Sequence, residues 1–158
     1  MERSRKFYKE QRILDATDLS RIYWRSLVNR VYDTANGYET ISEHERLYFS
    51  ACMLDGEIYN GGFDQFFTNS SGAYYYDAIE CLKVTNATES LRLCQAAKQI
   101  VFGFERVPKD RIARNLKVDA LTESQQQRLG EIDKEFCEDP DKLGEKLLSF
   151  AHAHNLFG

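Results

Sequence analysis

The sequence is poor in everything a β-sheet needs. No run of β-branched residues alternates with polar ones, so strands are not expected. Only two prolines occur, and no Ser/Gly-rich stretch or internal repeat marks a linker, so a single domain over 1–158 is the economical division. No apolar run approaches the roughly 20 residues that span a bilayer, and no membrane partner is expected. The first ten residues, M-E-R-S-R-K-F-Y-K-E, are charged throughout and lack the apolar stretch of a secretory leader. Cys52, Cys81, Cys94 and Cys137 lie far apart, with no C-x-x-C and no histidine pairing. That pattern predicts reduced, buried thiols rather than a disulfide framework or a metal site. The expectation is a reduced, cytoplasmic protein with no metal and no cofactor.

Catalytic patterns are missing too. There is no H-E-x-x-H, no G-x-S-x-G and no glycine-rich phosphate loop leading into a lysine. Of the three histidines, His44 falls in the first turn of a helix. His152 and His154 sit two residues apart, point to different helix faces and cannot both ligate one ion. The chain is therefore not expected to be an enzyme. One acid-base candidate stands out. Asp55 shares a helix face with Tyr48, Cys52 and Tyr59, where burial would raise its pKa, one ingredient of general acid-base work. The simpler reading has Asp55 bonded to a tyrosine hydroxyl or to the Gly61–Gly62 amides, pinning a turn. A small hydrolase using Asp55 or Asp64 is the minor alternative.

What the sequence has in abundance is helical periodicity. Residues 18–32 place Leu19, Ile22, Tyr23, Leu27 and Val31 at helical spacing, with Trp24 and Val28 widening the stripe, which reads as a central helix. Ser42 with Glu45 forms a capping box for a helix carrying Leu47, Ala51, Leu54 and Ile58, expected to end at Asn60–Gly61. Phe63, Phe66 and Phe67 follow on one side of a short turn. Asn69, Ser70 and Ser71 are N-cap candidates for a helix over 73–84 with Tyr75, Ala78, Ile79 and Leu82 inward. Asn86 with Glu89 reads as a second capping box, before a helix with Leu93, Ala97, Ile100, Val101 and Phe104 on one face. Pro108 fits the first position of a short basic helix, and Thr122 with Gln125 caps another bearing Leu129, Ile132 and Phe136. Asp139–Pro140 reads as a cap and first residue for a last helix with Leu143, Leu147, Phe150 and Ala151 inward. The prediction is an all-α, compact single-domain bundle of about seven to nine helices.

Charge is distributed in blocks. Residues 1–30 carry eight basic and four acidic side chains, 31–91 two basic and ten acidic, 92–118 seven basic and two acidic, and 119–158 four basic and nine acidic, for a net charge of −4. Such segregation predicts distinct acidic and basic faces, unless the blocks neutralise one another in the fold. Arg106, Lys109, Arg111, Arg114 and Lys117 form a basic run of the kind that meets phosphates. In a chain with pI near 5.4, direct nucleic-acid binding is not expected.

The densest feature is Glu57–Gly72, E-I-Y-N-G-G-F-D-Q-F-F-T-N-S-S-G. Its residues Tyr59, Asn60, Gly61, Gly62, Phe63, Gln65, Phe66, Phe67, Asn69, Ser70 and Gly72 suit structural roles: glycines for a turn, rings for a core, Asn and Ser for caps. The same pattern resembles a bacterial DNA-mimic protein family, over a stretch from about 47 to 102. The best-known representative of that family occupies the DNA-binding surface of a transcription factor. The resemblance implies an all-helical, non-enzymatic, homodimeric domain whose negative side chains stand in for phosphates and whose partner is a protein, such as a DNA-binding transcription factor. The matching acids here are Asp33, Glu39, Glu43, Glu45, Glu57, Asp64, Asp77 and Glu80, with Asp55 less exposed. A net charge of −4 is low for mimicry over the whole surface. Either the acids form one docking face, or the chain takes a different partner. An immunity- or antitoxin-like protein that blocks a toxin through shape and apolar contact is the second functional class.

Overall fold

Ser42 starts the helix around which the other elements are arranged. In the computed structural model, which describes residues 18–158, its hydroxyl accepts from the Glu45 amide at 3.2 Å. The Glu45 carboxylate accepts in return from the Ser42 amide, completing the expected capping box. The N-terminal expectations that rest on residues 1–17 lie outside the described residues. The elements in order are α1 (Leu19–Tyr32), α2 (Gly37–Thr40), α3 (Glu43–Thr68), a 3₁₀ turn (Ser70–Tyr74), α4 (Tyr75–Val84), α5 (Thr88–Phe102), α6 (Arg111–Asp119), α7 (Glu123–Cys137) and α8 (Leu143–Ala153). The fold is all-α, with eight α-helices and no strand among the described residues. No helix among them is long and apolar enough to cross a membrane.

Helix α3 is the axis. It packs against α1, α4, the 3₁₀ turn, α6, α7 and α8. Its Phe49, Leu54, Ile58, Phe63, Phe66 and Phe67 are almost wholly buried, so the aromatic cluster expected after the glycines is the middle of the core. Burying each such side chain contributes roughly 1.5–3 kcal/mol. The helical backbone breaks at Gly61 and Gly62, as expected for a helix that ends at Asn60–Gly61, and a second helical segment bearing the three phenylalanines continues across this kink to Thr68.

Several boundaries differ from the sequence expectation, and two of them share a reason: Asn86 and Asp139, expected to start helices, end them. Asn86 (φ 57°) and Asn155 (φ 54°) adopt left-handed conformations that close α4 and α8. In each case two amides fold back onto carbonyls of the last turn. Asn86 is therefore spent on α4, and the start of α5 is capped from elsewhere, the Ser90 amide donating to Asp141 Oδ2 at 2.6 Å. Asp139 (φ 56°) likewise closes α7, and Pro140 follows the helix end instead of opening α8. The Asp139 carboxylate still accepts from the Leu143 amide, at 3.0 Å. The basic helix begins at Arg111, capped by Asp110, so Pro108 lies before it. Asn69 makes no cap bond, and the chain passes through the 3₁₀ turn before α4 begins at Tyr75.

Packing brings further corrections. Helix α1 is peripheral: Leu19 and Ile22 are exposed, and its buried residues, Leu27 and Val31, lie in its second half. Phe104 stands in solvent, its place in the core taken by Phe102. Cys81 and Cys94 are buried as expected and Cys52 is half-buried, but Cys137 is exposed.

The least expected core residue is Arg114, which is fully buried. Its Nε donates to the Phe67 carbonyl at 2.8 Å and Nη2 to the Asn69 carbonyl at 2.9 Å. Nη1 donates to the carbonyls of Pro108, at 2.9 Å, and Lys109, at 2.6 Å. Two of these acceptors belong to the C-terminal end of α3, whose last carbonyls have no partner within the helix and carry its negative dipole end. Gly72 makes the space: a Cβ there would come within 2.7 Å of Arg114 Nε and within 2.8 Å of the Phe66 carbonyl.

Lysine has three donors on a point charge and cannot reproduce this fork. Arg114→Lys is expected to lower unfolding free energy in urea by about 2–4 kcal/mol, because buried carbonyls lose a charged donor. Gly72→Ala is expected to cost roughly 1–3 kcal/mol in the same assay by overpacking.

Candidate partner-binding face

The glycine corner is built by two helices. Gly62 has φ 78° and ψ −177°, a conformation essentially restricted to glycine. A side chain at that position would also collide with the Asp133 carboxylate. Asp133 of α7 accepts from the Phe63 amide at 2.8 Å, acting as an N-cap supplied from another element. Burial raises its pKa, the Phe63 amide opposes that rise, and nearby Asp64 adds to it. The partner of the corner is thus Asp133, and not Asp55 as the sequence suggested. An acid on the inward stripe of α7, at helical spacing between Leu129 and Phe136, was the available signal.

Beyond the corner, the polar residues of the glycine segment knit around Glu57. Its Oε2 accepts from Gln65 Nε2 at 2.7 Å and from Asn69 Nδ2 at 2.9 Å. Asn60 Nδ2 in turn donates to Gln65 Oε1 at 3.1 Å. On the far side, Arg111 Nε donates to the Thr68 carbonyl at 2.8 Å. Tyr59 rests its ring against Phe136, and its hydroxyl donates to the Cys137 carbonyl at 3.4 Å. Ser70 is exposed at the start of the 3₁₀ turn.

The eight acids fall into groups. Glu45 is neutralised: Arg30 Nη2 lies 2.5 Å from its Oε2, and the Tyr23 hydroxyl donates to the same oxygen at 2.7 Å. Burial works against that carboxylate, yet these partners hold its pKa below the usual value. Asp77 accepts from the Tyr38 hydroxyl. Tyr38 stacks on Tyr74 with ring centroids 3.8 Å apart. Burial raises the Tyr74 hydroxyl, and Tyr32 and Glu39 add to it, which puts Glu39 at the same aromatic surface. Glu80 lies one turn beyond Asp77 on α4, and Asp33 directly follows Tyr32. Glu39 and Asp77 thus border one patch of stacked tyrosines, and Asp33, Glu39 and Glu80 are exposed. Glu43 is exposed at the start of α3, whereas Asp64 sits past the kink beside Asp133. The carboxylates of the middle third therefore do not form a single set: Glu39 and Asp77 meet at the tyrosine patch, Glu45 is paired with Arg30, and Asp64 lies beside Asp133.

Asp55 is largely buried, and its Oδ1 has no hydrogen-bond partner. Burial, with help from Asp139, raises its pKa to about 7. Its neighbours are thiols, not an imidazole: burial and Asp55 together raise both Cys52 and Cys94. His44 instead stacks on His154, ring centroids 3.7 Å apart, a pairing of α3 with the end of α8 that sequence spacing does not reveal. Among the described residues no group of three or more His, Cys, Asp and Glu is arranged to hold a metal ion.

A family model described as DMP19-like protein matches residues 39–154, extending on both sides of the segment that carries the motif. No curated protein and no solved structure matches the chain.

The state of Asp55 makes stability depend on pH. An unfolded chain releases this proton near 3.8, whereas the folded one holds it to about 7. Between those values the native state binds more protons, so this group makes stability fall as pH rises, by up to about 4 kcal/mol once both states are ionised. Asp55→Asn is expected to remove most of this contribution, so that the midpoint of urea unfolding falls less between pH 4 and pH 7 than in the unsubstituted protein. A slope equal to that of the unsubstituted protein would show Asp55 ionised at low pH in the fold.

Proposed function

The chain belongs to the DMP19-like protein family, and on that premise we propose that it is a non-enzymatic, protein-binding regulator. Its exposed carboxylates occupy the phosphate-binding surface of a DNA-binding partner, such as a transcription factor. The observation that carries this reading is how little of the acid is cancelled. Of the eight carboxylates, only Glu45 meets a lysine or arginine among the described residues. Glu57 and Asp77 are held by amides and a phenol, neutral donors that fix a carboxylate in place and leave its charge intact. A surface shaped to grip DNA presents cations to phosphates, and ordered carboxylates compete for the same cations. Glu39 and Asp77 at the tyrosine patch, together with exposed Asp33 and Glu80, are the centre of the proposed face. Mimicry of this extent needs only one side of the molecule, which reconciles it with a net charge of −4.

The test uses Asp33→Lys/Glu39→Lys/Glu80→Lys, three exposed positions outside the internal hydrogen bonds. DNA-binding proteins captured from host extract by the immobilised chain are expected to be displaced by duplex DNA and by raising salt from about 50 to about 300 mM, since screening shortens to a few ångströms. The triple variant, with unchanged helical circular dichroism, is expected to capture at least about tenfold less. Capture that is unaffected by the three reversals rejects this face. Capture that resists both DNA and salt supports the toxin-blocking class instead.

A further inference from the structure

The kink of α3 opens onto a cavity of about 200 Å³, walled by Gly61 and Asp64 of α3, Val118 of α6, and Leu129, Gly130 and Asp133 of α7. Its floor is apolar: Val118 and Leu129 are buried, and Leu121, from the turn between α6 and α7, is half-buried. Glycine keeps one wall open. A Cβ on Gly130 would meet nothing within 4 Å.

The charges at this cavity have one sign. Asp64 and Asp133 line it, and no lysine, arginine or histidine does. Neither aspartate has an ion pair among the described residues. Asp133 spends Oδ1 on the Phe63 amide, a neutral donor, and both burial and the nearby Asp64 oppose its ionisation. The cations of the walling helices are elsewhere. Lys117 pairs with Glu105, at 3.0 Å. Arg111, two turns before Val118, is turned onto the Thr68 carbonyl and Asn69 Oδ1. Arg128 and Lys134 of α7 do not line the cavity. Asp119, exposed beside Val118, adds another acid at the end of α6. Two like charges over an apolar floor are a fitting site for a cation carried on an apolar stem.

We propose that this cavity binds an alkylammonium group, the chemistry of a lysine side chain or a free amine. The stem would cover Leu121 and Leu129, and the ammonium would sit with Asp64 and Asp133. Size agrees with this occupant: at about 30 Å³ per water, the space takes a chain of roughly six or seven heavy atoms. A bare divalent ion is a poorer match. It takes six or more oxygen ligands, whereas two carboxylates converge here and the apolar side chains supply none. An anion is repelled. The cavity shares no residue with the tyrosine patch, so the proposal stands independently of the DNA-mimic reading.

The test is amide NMR on the full chain, titrated with N-acetyl-lysine methylamide. Its comparators are the norleucine analogue, which keeps the stem without the charge, 1,5-diaminopentane and calcium chloride. Saturable shifts of the Gly61, Asp64, Gly130 and Asp133 amides are expected, with a dissociation constant of about 1–10 mM, the scale for so few atoms. The norleucine analogue is expected to bind about tenfold more weakly. Asp64→Asn removes one charge from an exposed position and is expected to weaken the lysine compound about threefold or more. Gly130→Leu sends a side chain into the open space without touching the corner, and is expected to abolish the saturable shifts. Asp133 is left intact because it holds the Phe63 amide. Tighter binding of the diamine supports the proposal with a free amine as occupant, and tighter binding of the lysine compound supports it with a protein side chain. No saturable shift, equal binding of the norleucine analogue, the same shifts from calcium at lower concentration, or binding unchanged in both variants overturns it.

Discussion

Wherever α3 ends, several carbonyl oxygens must find donors, and the guanidinium of Arg114 supplies two of them, beside that of Arg111 on Thr68. Arg114 is a buried cation without a buried anion. Its charge is met by four carbonyl dipoles, two from the end of α3 and two from the loop that leads into α6. That arrangement avoids the desolvation of a second charge that a buried ion pair requires. It also has a geometric result: the direction in which the chain leaves α3, and the seat of α6 upon it, are set by one planar group. The acids at the Glu57 network take their positions from it.

A second charge plays the opposite part at the kink. Asp133 accepts the amide that opens the second half of α3, where the positive end of the helix dipole favours an anion. Arg114 at the C-terminal end and Asp133 at the start of the same segment bracket Phe63, Phe66 and Phe67. The aromatic core is thereby held between two complementary charges, both delivered by helices from the later part of the chain. The surface acids need no such compensation because water solvates them.

Helical periodicity made the fold class, the Ser42 and Thr122 capping boxes and the buried rings of α3 legible, because each depends on residues within a turn or two of one another. Three kinds of feature were not. Asn86 and Asp139 suit a helix start and a helix end equally well by residue type, and only backbone φ distinguishes them. Arg114 and Asp133 are charged residues on inward stripes, and their partners are 47 and 70 residues away in sequence. Exposure decided the rest: Phe104 and Ile112 belong to apolar stripes that meet no neighbour. Among the acids, composition located the negative block, yet the pairing of Glu45 with Arg30 and the placement of Asp77 beneath Tyr38 depend on how α1 and α2 cross α3.

The cage around Arg114 joins the end of α3 to the start of α6, and everything between them, α4 and α5, hangs in a loop closed by that clasp. That loop has other ties as well, since α4 packs on α3 and α5 on α7. Withdrawal of the guanidinium therefore frees the exit of α3 and the seat of α6 first, and local opening begins at that junction.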